Sequence, residues 1–272
     1  MISTSNPRIK LIRKLRDRKE RQQTGLFYIE GLRIVAEALQ TGARIEYLVI
    51  APGFLTSPFG KQLLQSEPAR SIPVIEVSDE TFLGFSNKDG PQGLGAVVRQ
   101  EWTILDQVQN RPAIWTALDA VQDPGNLGTI LRTSDAVGGA GVILLDQATD
   151  PFDPTSVRAS MGAVFSQHLI KTSLHEFAAW KKANGFSVVG TSGAAELDYH
   201  QTKYPFPCIL LMGSERQGLL DQHLRLCDMI VKIPMIGRSD SLNLAADPQD
   251  AMLIRAMTYA TLRLCSRDPV AA

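Results

Sequence analysis

The chain has 272 residues, 28 basic and 28 acidic side chains, 44% apolar residues and 21% charged ones. That length suits about two domains, and the composition suits a packed core, which excludes disorder, collagen-like repetition and a coiled-coil rod. Apolar runs such as Val142–Leu145 fall far short of the ~20 residues of a membrane span. With no apolar stretch behind the start to serve as a secretory signal, a cytoplasmic protein is expected.

Cys208, Cys227 and Cys265 lie far apart with no C-x-x-C pair, which argues against a disulfide framework or zinc knuckle. His168, His175, His200 and His223 form no H-E-x-x-H pattern, so no metal site is expected. Phosphate-loop, dinucleotide and serine-hydrolase signatures are absent as well.

The zero net charge hides an asymmetry. Residues 1–21 carry eight basic side chains (Arg8, Lys10, Arg13, Lys14, Arg16, Arg18, Lys19, Arg21) against Asp17 and Glu20, a balance of +6. Leu11, Ile12 and Leu15 give this segment a partial apolar stripe, so a helix with one docking face and a cationic remainder is expected. Such a surface suits phosphate, although a merely solvated helix has the same composition.

Beyond it, residues 25–54 read as strand, helix, strand, with Leu32, Val35, Ala36 and Leu39 at helical spacing and Gly42 as a stop. A short helix near Gln62–Gln65 and strands over 72–77 and 95–98 complete a small α/β layer of about one hundred residues. Residues 101–112 read as a linker or connecting helix. A second alternation follows: strand 113–119, a Gly-rich turn, helix 129–137, strand 141–145, helix 177–184, and strands at 186–192, 208–213 and 229–234. Residues 251–264 are expected to form a closing helix. Continuous apolar strands alternating with helices predict a mainly parallel sheet covered on both faces.

Ligands of parallel sheets bind beyond the carboxyl ends of the strands. Three predicted strands here run into polar, Gly-containing turns: Asp123–Gly128, Gly213–Gly218, and Pro234–Gly237 with Ser241–Asn243 beyond. Each has a structural alternative. Asn126 would cap a helix starting near Leu127, Arg132 would pair with Asp135 one turn on, Glu215 would complement a helix dipole, and Ser241 and Asn243 would be turn residues.

The residues themselves are recognisable. D-P-G-N-L-G-T-I-L-R-T-S-D-A-V-G (Asp123–Gly138) resembles the first motif of the SpoU-type, or TrmH-like, RNA ribose methyltransferases of the SPOUT superfamily. Leu211–Glu215 through Gly218 is similar to their second motif, and Ile233–Met235 with Ser241–Asn243 to their third. Arg158–Ala163 resembles a connecting segment of the family, and order and spacing agree over about residues 112–250. Asn6-Pro7, the basic run and Glu30–Arg33 resemble, more weakly, its ribosomal-protein-like substrate-binding domain.

The resemblance implies an α/β chain: a small RNA-binding α/β domain over residues 1–105, then a trefoil-knotted parallel-sheet methyltransferase domain over 112–272. It implies S-adenosylmethionine-dependent 2′-O-methylation of RNA by a homodimer, with no metal. Carried over by position, the catalytic set is Asn126, Arg132, Glu215, Ser241 and Asn243. The cofactor set is Leu211, Gly213, Ile233, Met235 and Leu242, and Arg8, Arg13, Lys14 and Arg158 would contact RNA. Arg132 is the family's proposed base; because a free guanidinium keeps its proton far above neutral pH, orientation of the hydroxyl is the other reading.

Ribosomal RNA is the expected substrate, with transfer RNA or a non-catalytic RNA-binding relative as alternatives. The +6 segment disfavours a small-molecule substrate. One departure bears on the third of these. Asp247-Pro248 interrupts the small apolar residues that follow the third motif, and a proline is tolerated at a helix start rather than inside it. The closing helix is therefore expected to begin at Pro248, with Asp247 as its cap, which bears on cofactor affinity and dimer contact.

Overall fold

Asn6 and Pro7 start the first helix, α1 (Pro7–Lys14). The Asn6 side chain accepts the Arg8 N–H at 2.9 Å, and a proline at the first helical position has no N–H to leave orphaned. The computed structural model describes residues 4–87, 90–108, 114–199, 201–205, 207–214 and 217–232. These divide into two units: the chain up to Glu101 together with Asp150–Ser166, and the segments Trp102–Thr149 and onward from Gln167.

In the first unit α1 is followed by α2 (Arg18–Thr24), β1 (Leu26–Glu30), α3 (Leu32–Gln40) and β2 (Ile45–Ile50). Next come α4 (Pro58–Leu64), α5 (Glu67–Arg70), β3 (Val74–Glu76), α6 (Asp79–Leu83) and β4 (Leu94–Arg99). The sheet order is β1-β4-β2-β3; β4 runs antiparallel to both its neighbours, and β2 and β3 are parallel. Ile9, Ile12 and Leu15 are the docking face of the amino-terminal segment and pack with Tyr47, Val49, Ile75, Phe82 and Phe85.

The basic run thus forms two helices rather than one, broken at Leu15–Asp17, and one of its eight cations is not at the surface. Arg21 is 1% exposed. Its Nε donates to Asp150 at 2.8 Å, Nη2 to Asp153 at 3.1 Å, and Nη1 to the carbonyls of Leu15 and Arg16 at 3.0 and 2.8 Å. Each guanidinium nitrogen has an acceptor, as a buried charge requires.

The second unit holds β5 (Ile114–Asp119), α7 (Pro124–Ala136) and β6 (Gly141–Leu145). The chain then contributes α8 (Pro154–Ala159) to the first unit, although residues 150–166 fall inside the sequence range expected of the second domain. The reason is packing: Phe152 and Phe165 both face the ring of Phe27 on β1, at 4.8 and 6.1 Å. The second unit resumes with β7 (His168–Thr172), α9 (Leu174–Asn184), β8 (Ser187–Thr191) and β9 (Leu197–Asp198). Last among the described residues come β10 (Cys208–Met212), α10 (Asp221–Leu224) and β11 (Met229–Lys232).

Among the described residues its seven strands are all parallel, in the order β7-β6-β5-β10-β8-β11-β9. Every residue of β5, β6 and β10 is buried, as the unbroken apolar runs predict for a sheet covered on both faces. On one face Trp115, Ala117, Ile143, Ile209 and Leu211 pack with Phe177 and Trp180 of α9. The closing helix expected over 251–264, and the start expected for it at Asp247-Pro248, lie outside the described residues.

Candidate active site

Strand pairing sets the site. Met212 of β10 lies opposite Leu118 of β5, and Asp119 opposite Leu145 of β6. Asp119 and Gly213, the residues that follow the Leu118–Met212 pair, therefore stand at neighbouring strand ends. Strand β11 joins β10 through β8, again in parallel, so the chain leaves β5, β10 and β11 at one edge. That edge is where parallel sheets bind ligands; the first two predicted polar turns start from it, and the third lies outside the described residues.

The turn out of β5 opens on Ala120 with φ of +52°, and Asp146, directly after β6, has φ of +47°. Non-glycine residues rarely adopt this left-handed backbone, and such strain collects at functional sites. Helix α7 starts earlier than periodicity predicts, at Pro124, and its cap is Asp123 rather than Asn126: the Asp123 carboxylate accepts the Asn126 N–H at 2.7 Å. The Asn126 side chain is therefore not the helix cap.

On the same helix Leu127, Ile130 and Leu131 are buried and Arg132 is exposed. Among the described residues Arg132 makes no ion pair, so the alternative pairing with Asp135 is not formed. Asp135 instead accepts from the Gln167 side chain at 3.5 Å.

Gly213 opens a tight turn in which Ser214 and Gly218 bridge; the Gly218 N–H donates to the Ser214 carbonyl at 2.9 Å. A Cβ on Gly213 would overlap the Gly218 carbonyl, so only glycine fits there. Leu211, two residues earlier, is fully buried in the core cluster, where its side chain faces other apolar groups.

The structure adds a pair that sequence reasoning missed. Asp119, 9% exposed, faces His223 Nε2 at 3.4 Å, and His223 is 0% exposed. The Leu220 N–H donates to His223 Nδ1 at 3.0 Å, which leaves Nε2 turned towards the carboxylate. Burial pushes the Asp119 carboxyl above its ordinary value; His223 opposes the shift and Asp146 adds to it. The pair fastens α10, which follows the Gly213–Gly218 turn, to the end of β5. An acidic residue closing the apolar strand IWTALD was a visible signal for Asp119. A lone histidine in DQHL was none.

Glu215, Ile233, Met235, Ser241, Leu242 and Asn243 lie outside the described residues. Arg8, Arg13, Lys14 and Arg158 belong to the first unit. Arg8 stacks over the Tyr47 ring at 5.3 Å, Lys14 approaches Glu20 at 4.0 Å, and Arg158 is exposed in the last turn of α8. Among the described residues no helix is long and apolar enough to cross a membrane, and no group of three His, Cys, Asp or Glu could hold a metal ion.

Residues 113–246 match the SpoU rRNA Methylase family, and residues 6–96 match the MRM3-like substrate binding domain. The chain is 31% identical to the 23S rRNA (uridine(2479)-2′-O)-methyltransferase of Streptomyces viridochromogenes over 89% of this chain and 86% of that one. It is 29% identical to the 23S rRNA (guanosine(2553)-2′-O)-methyltransferase RlmP of Bacillus subtilis, over 89% and 93%. A crystal structure of AdoMet-bound rRNA methyltransferase from Sinorhizobium meliloti superposes with a TM-score of 0.83 at 36% identity, covering 97% of both chains. The first two motifs at one sheet edge, the family match and relatives aligned over most of their length agree: this chain belongs to the SpoU rRNA methylase family.

Proposed function

We propose that the chain transfers a methyl group from S-adenosylmethionine to a ribose 2′-hydroxyl of ribosomal RNA, acting as a cytoplasmic homodimer. The observation that carries this is the pairing of β10 with β5, which sets the turn holding Gly213 beside the loop leading to Asn126 and Arg132. The relatives that act on 23S rRNA and the match to a substrate binding domain support the choice of RNA.

The Gly213–Gly218 turn fits a cofactor held by backbone groups, because it brings two peptides together where a Cβ would not fit. Ile233, Met235 and Leu242 complete the cofactor set. S-adenosylmethionine supplies a methyl group already activated by its positive sulfur. The protein's part is then to orient a poorly nucleophilic hydroxyl and draw off its proton, and positioning alone lowers such barriers by up to about 7–11 kcal/mol.

Arg132, exposed and without an ion-pair partner among the described residues, orients the hydroxyl, and Asn126 at the helix start faces the same sugar. Glu215, Ser241 and Asn243 hold the guanidinium and the ribose. Asp119 and His223 position α10 and the turn before it.

The test is Arg132→Ala, with methyl transfer to 23S rRNA and calorimetric cofactor binding measured side by side. Turnover falls by at least about 100-fold, the scale of loss when a reacting group is misplaced by about 1 Å, while cofactor affinity stays within twofold. Preserved turnover refutes the role. Sedimentation at twice the 29.8 kDa chain mass tests the dimer.

A further inference from the structure

The first unit carries a pocket that the methyl-transfer reading does not use. Strand β1 is an edge strand, α8 packs against it, and a concavity of about 650 Å³ lies along them. That volume is within the ~300–1,000 Å³ of sites that enclose small ligands. Its polar lining includes Arg16, Arg33, Arg158, Asn87, Gln92 and Thr155. Buried Ile29 and Val157 contribute apolar surface, joined by Met161, which is 56% exposed. Met161 has φ of +54° and precedes Gly162 at +105°, so the backbone takes two left-handed steps in succession at the end of α8. A large apolar side chain held outward in that conformation is strain without a packing return, the pattern found where a ligand is met.

The charges do not cancel internally. Among the described residues two carboxylates line the pocket and both are engaged: Glu30 accepts from the Ser86 hydroxyl at 2.6 Å and the Asn87 N–H at 3.0 Å, and Asp153 pairs with buried Arg21. Arg16 is held by the carbonyls of Phe85 and Ser86. Arg33 and Arg158 are exposed, and among the described residues neither guanidinium has a hydrogen-bond or ion-pair partner. Two unpaired guanidiniums over an apolar floor, with amide and hydroxyl groups at the side, match an anion joined to a flat heterocycle. Single-stranded RNA offers that chemistry when a base is splayed out of its stack.

We propose that this pocket takes one unstacked nucleotide of the RNA substrate, its phosphate on Arg33 and Arg158 and its base over Ile29, Val157 and Met161. Asn87, Thr155 and the Gln92 amide nitrogen meet the base edge; the Gln92 oxygen already accepts the Leu32 N–H at 3.1 Å. The inference rests on the RNA-methylation reading for the identity of the ligand, while its test does not need turnover.

The full chain is titrated against a fluorescein-labelled ten-nucleotide single-stranded RNA by anisotropy, across a series of salt concentrations. Arg33→Ala and Arg158→Ala each weaken binding about 5–10-fold and reduce the salt slope by ~0.7 per lost phosphate contact. Thr155→Trp, which fills the pocket without changing charge, weakens binding at least about fivefold with the slope unchanged, in line with the stacking of one base. Met161→Gly is the second probe should the tryptophan disturb α8, since it removes floor surface and relieves the backbone; it weakens binding at least threefold.

Affinities within twofold of the parent for all four variants overturn the proposal. Losses confined to the arginine variants overturn it too, since surface phosphate contacts alone would produce them. Methyl transfer by the parent is assayed separately: its absence would remove the function proposed above and leave this binding result standing, whereas full transfer with unaffected binding variants would remove only the pocket.

Discussion

Replacing Arg21 with methionine tests how the first unit is held. The substitution keeps most of the side-chain volume and removes the guanidinium. It strands the Asp150 carboxylate, whose residue is 8% exposed, and deprives the carbonyls of Leu15 and Arg16 of their donors. Breaking a buried pair from one side costs about 3–5 kcal/mol, because the remaining charge stays buried. Asp153, at 29% side-chain exposure, remains partly hydrated and adds little. That loss is a large share of the ~5–15 kcal/mol by which domains are stable, and it moves the urea midpoint down by on the order of 1–2 M. The three tryptophans, Trp102, Trp115 and Trp180, lie in the other unit, so far-ultraviolet circular dichroism is the global probe. Hydrogen exchange over residues 7–24 and 150–160 is the local one. Adding Asp150→Asn removes the stranded charge and keeps the oxygen that accepts the Phe152 N–H, so the double variant regains at least half of the loss. A single-variant loss below about 1 kcal/mol, or strictly additive losses, would refute the reasoning.

Three other outcomes follow from the geometry. Gly213→Ala forces a Cβ against the Gly218 carbonyl, which lowers stability by about 1–3 kcal/mol and abolishes calorimetric binding of S-adenosylmethionine; unaltered binding would show the turn has room. Burial pushes the Cys208 thiol up to about 12 and the Cys227 thiol to about 11, so at pH 8 neither is alkylated by iodoacetamide in the folded protein, as peptide mass spectrometry would show. Hydrogen bonds from Ser173 and Thr172 lower the Glu176 carboxyl, and the Lys181 and Val188 hydrogen bonds, against the opposing effect of burial, lower that of Asp228. A carboxyl lowered on folding stabilises above its ordinary value and loses that contribution as pH falls through its folded value. Asp228→Asn therefore flattens the acid limb of a stability-against-pH curve, and an unchanged limb would exclude the Lys181 contact as its source.

Local pattern and short motifs decided much of this protein without any coordinates. Unbroken apolar runs such as GVILL and CILLM are buried on both faces and so announced a parallel sheet, and D-P-G-N with its distant partners announced the family. The sequence alone also determined that Ile12 and Leu15 would dock, because their spacing repeats with the helix period. Elements lacking such periodicity were not legible. Helices α5, α6, α8 and α10 have four to six residues, too few for a pattern, and β7 begins on exposed His168.

What only the tertiary structure decided is which polar groups meet. Arg21 reads as one cation in a run of eight, yet Asp150, 129 residues away, makes it a buried strut. Residues 150–166 read as part of the second domain, yet Phe152 and Phe165 find Phe27. Asp119 meets His223 for the same reason: sequence periodicity records which face an element turns inward, whereas the partner of a single charge or ring depends on how distant strands are ordered.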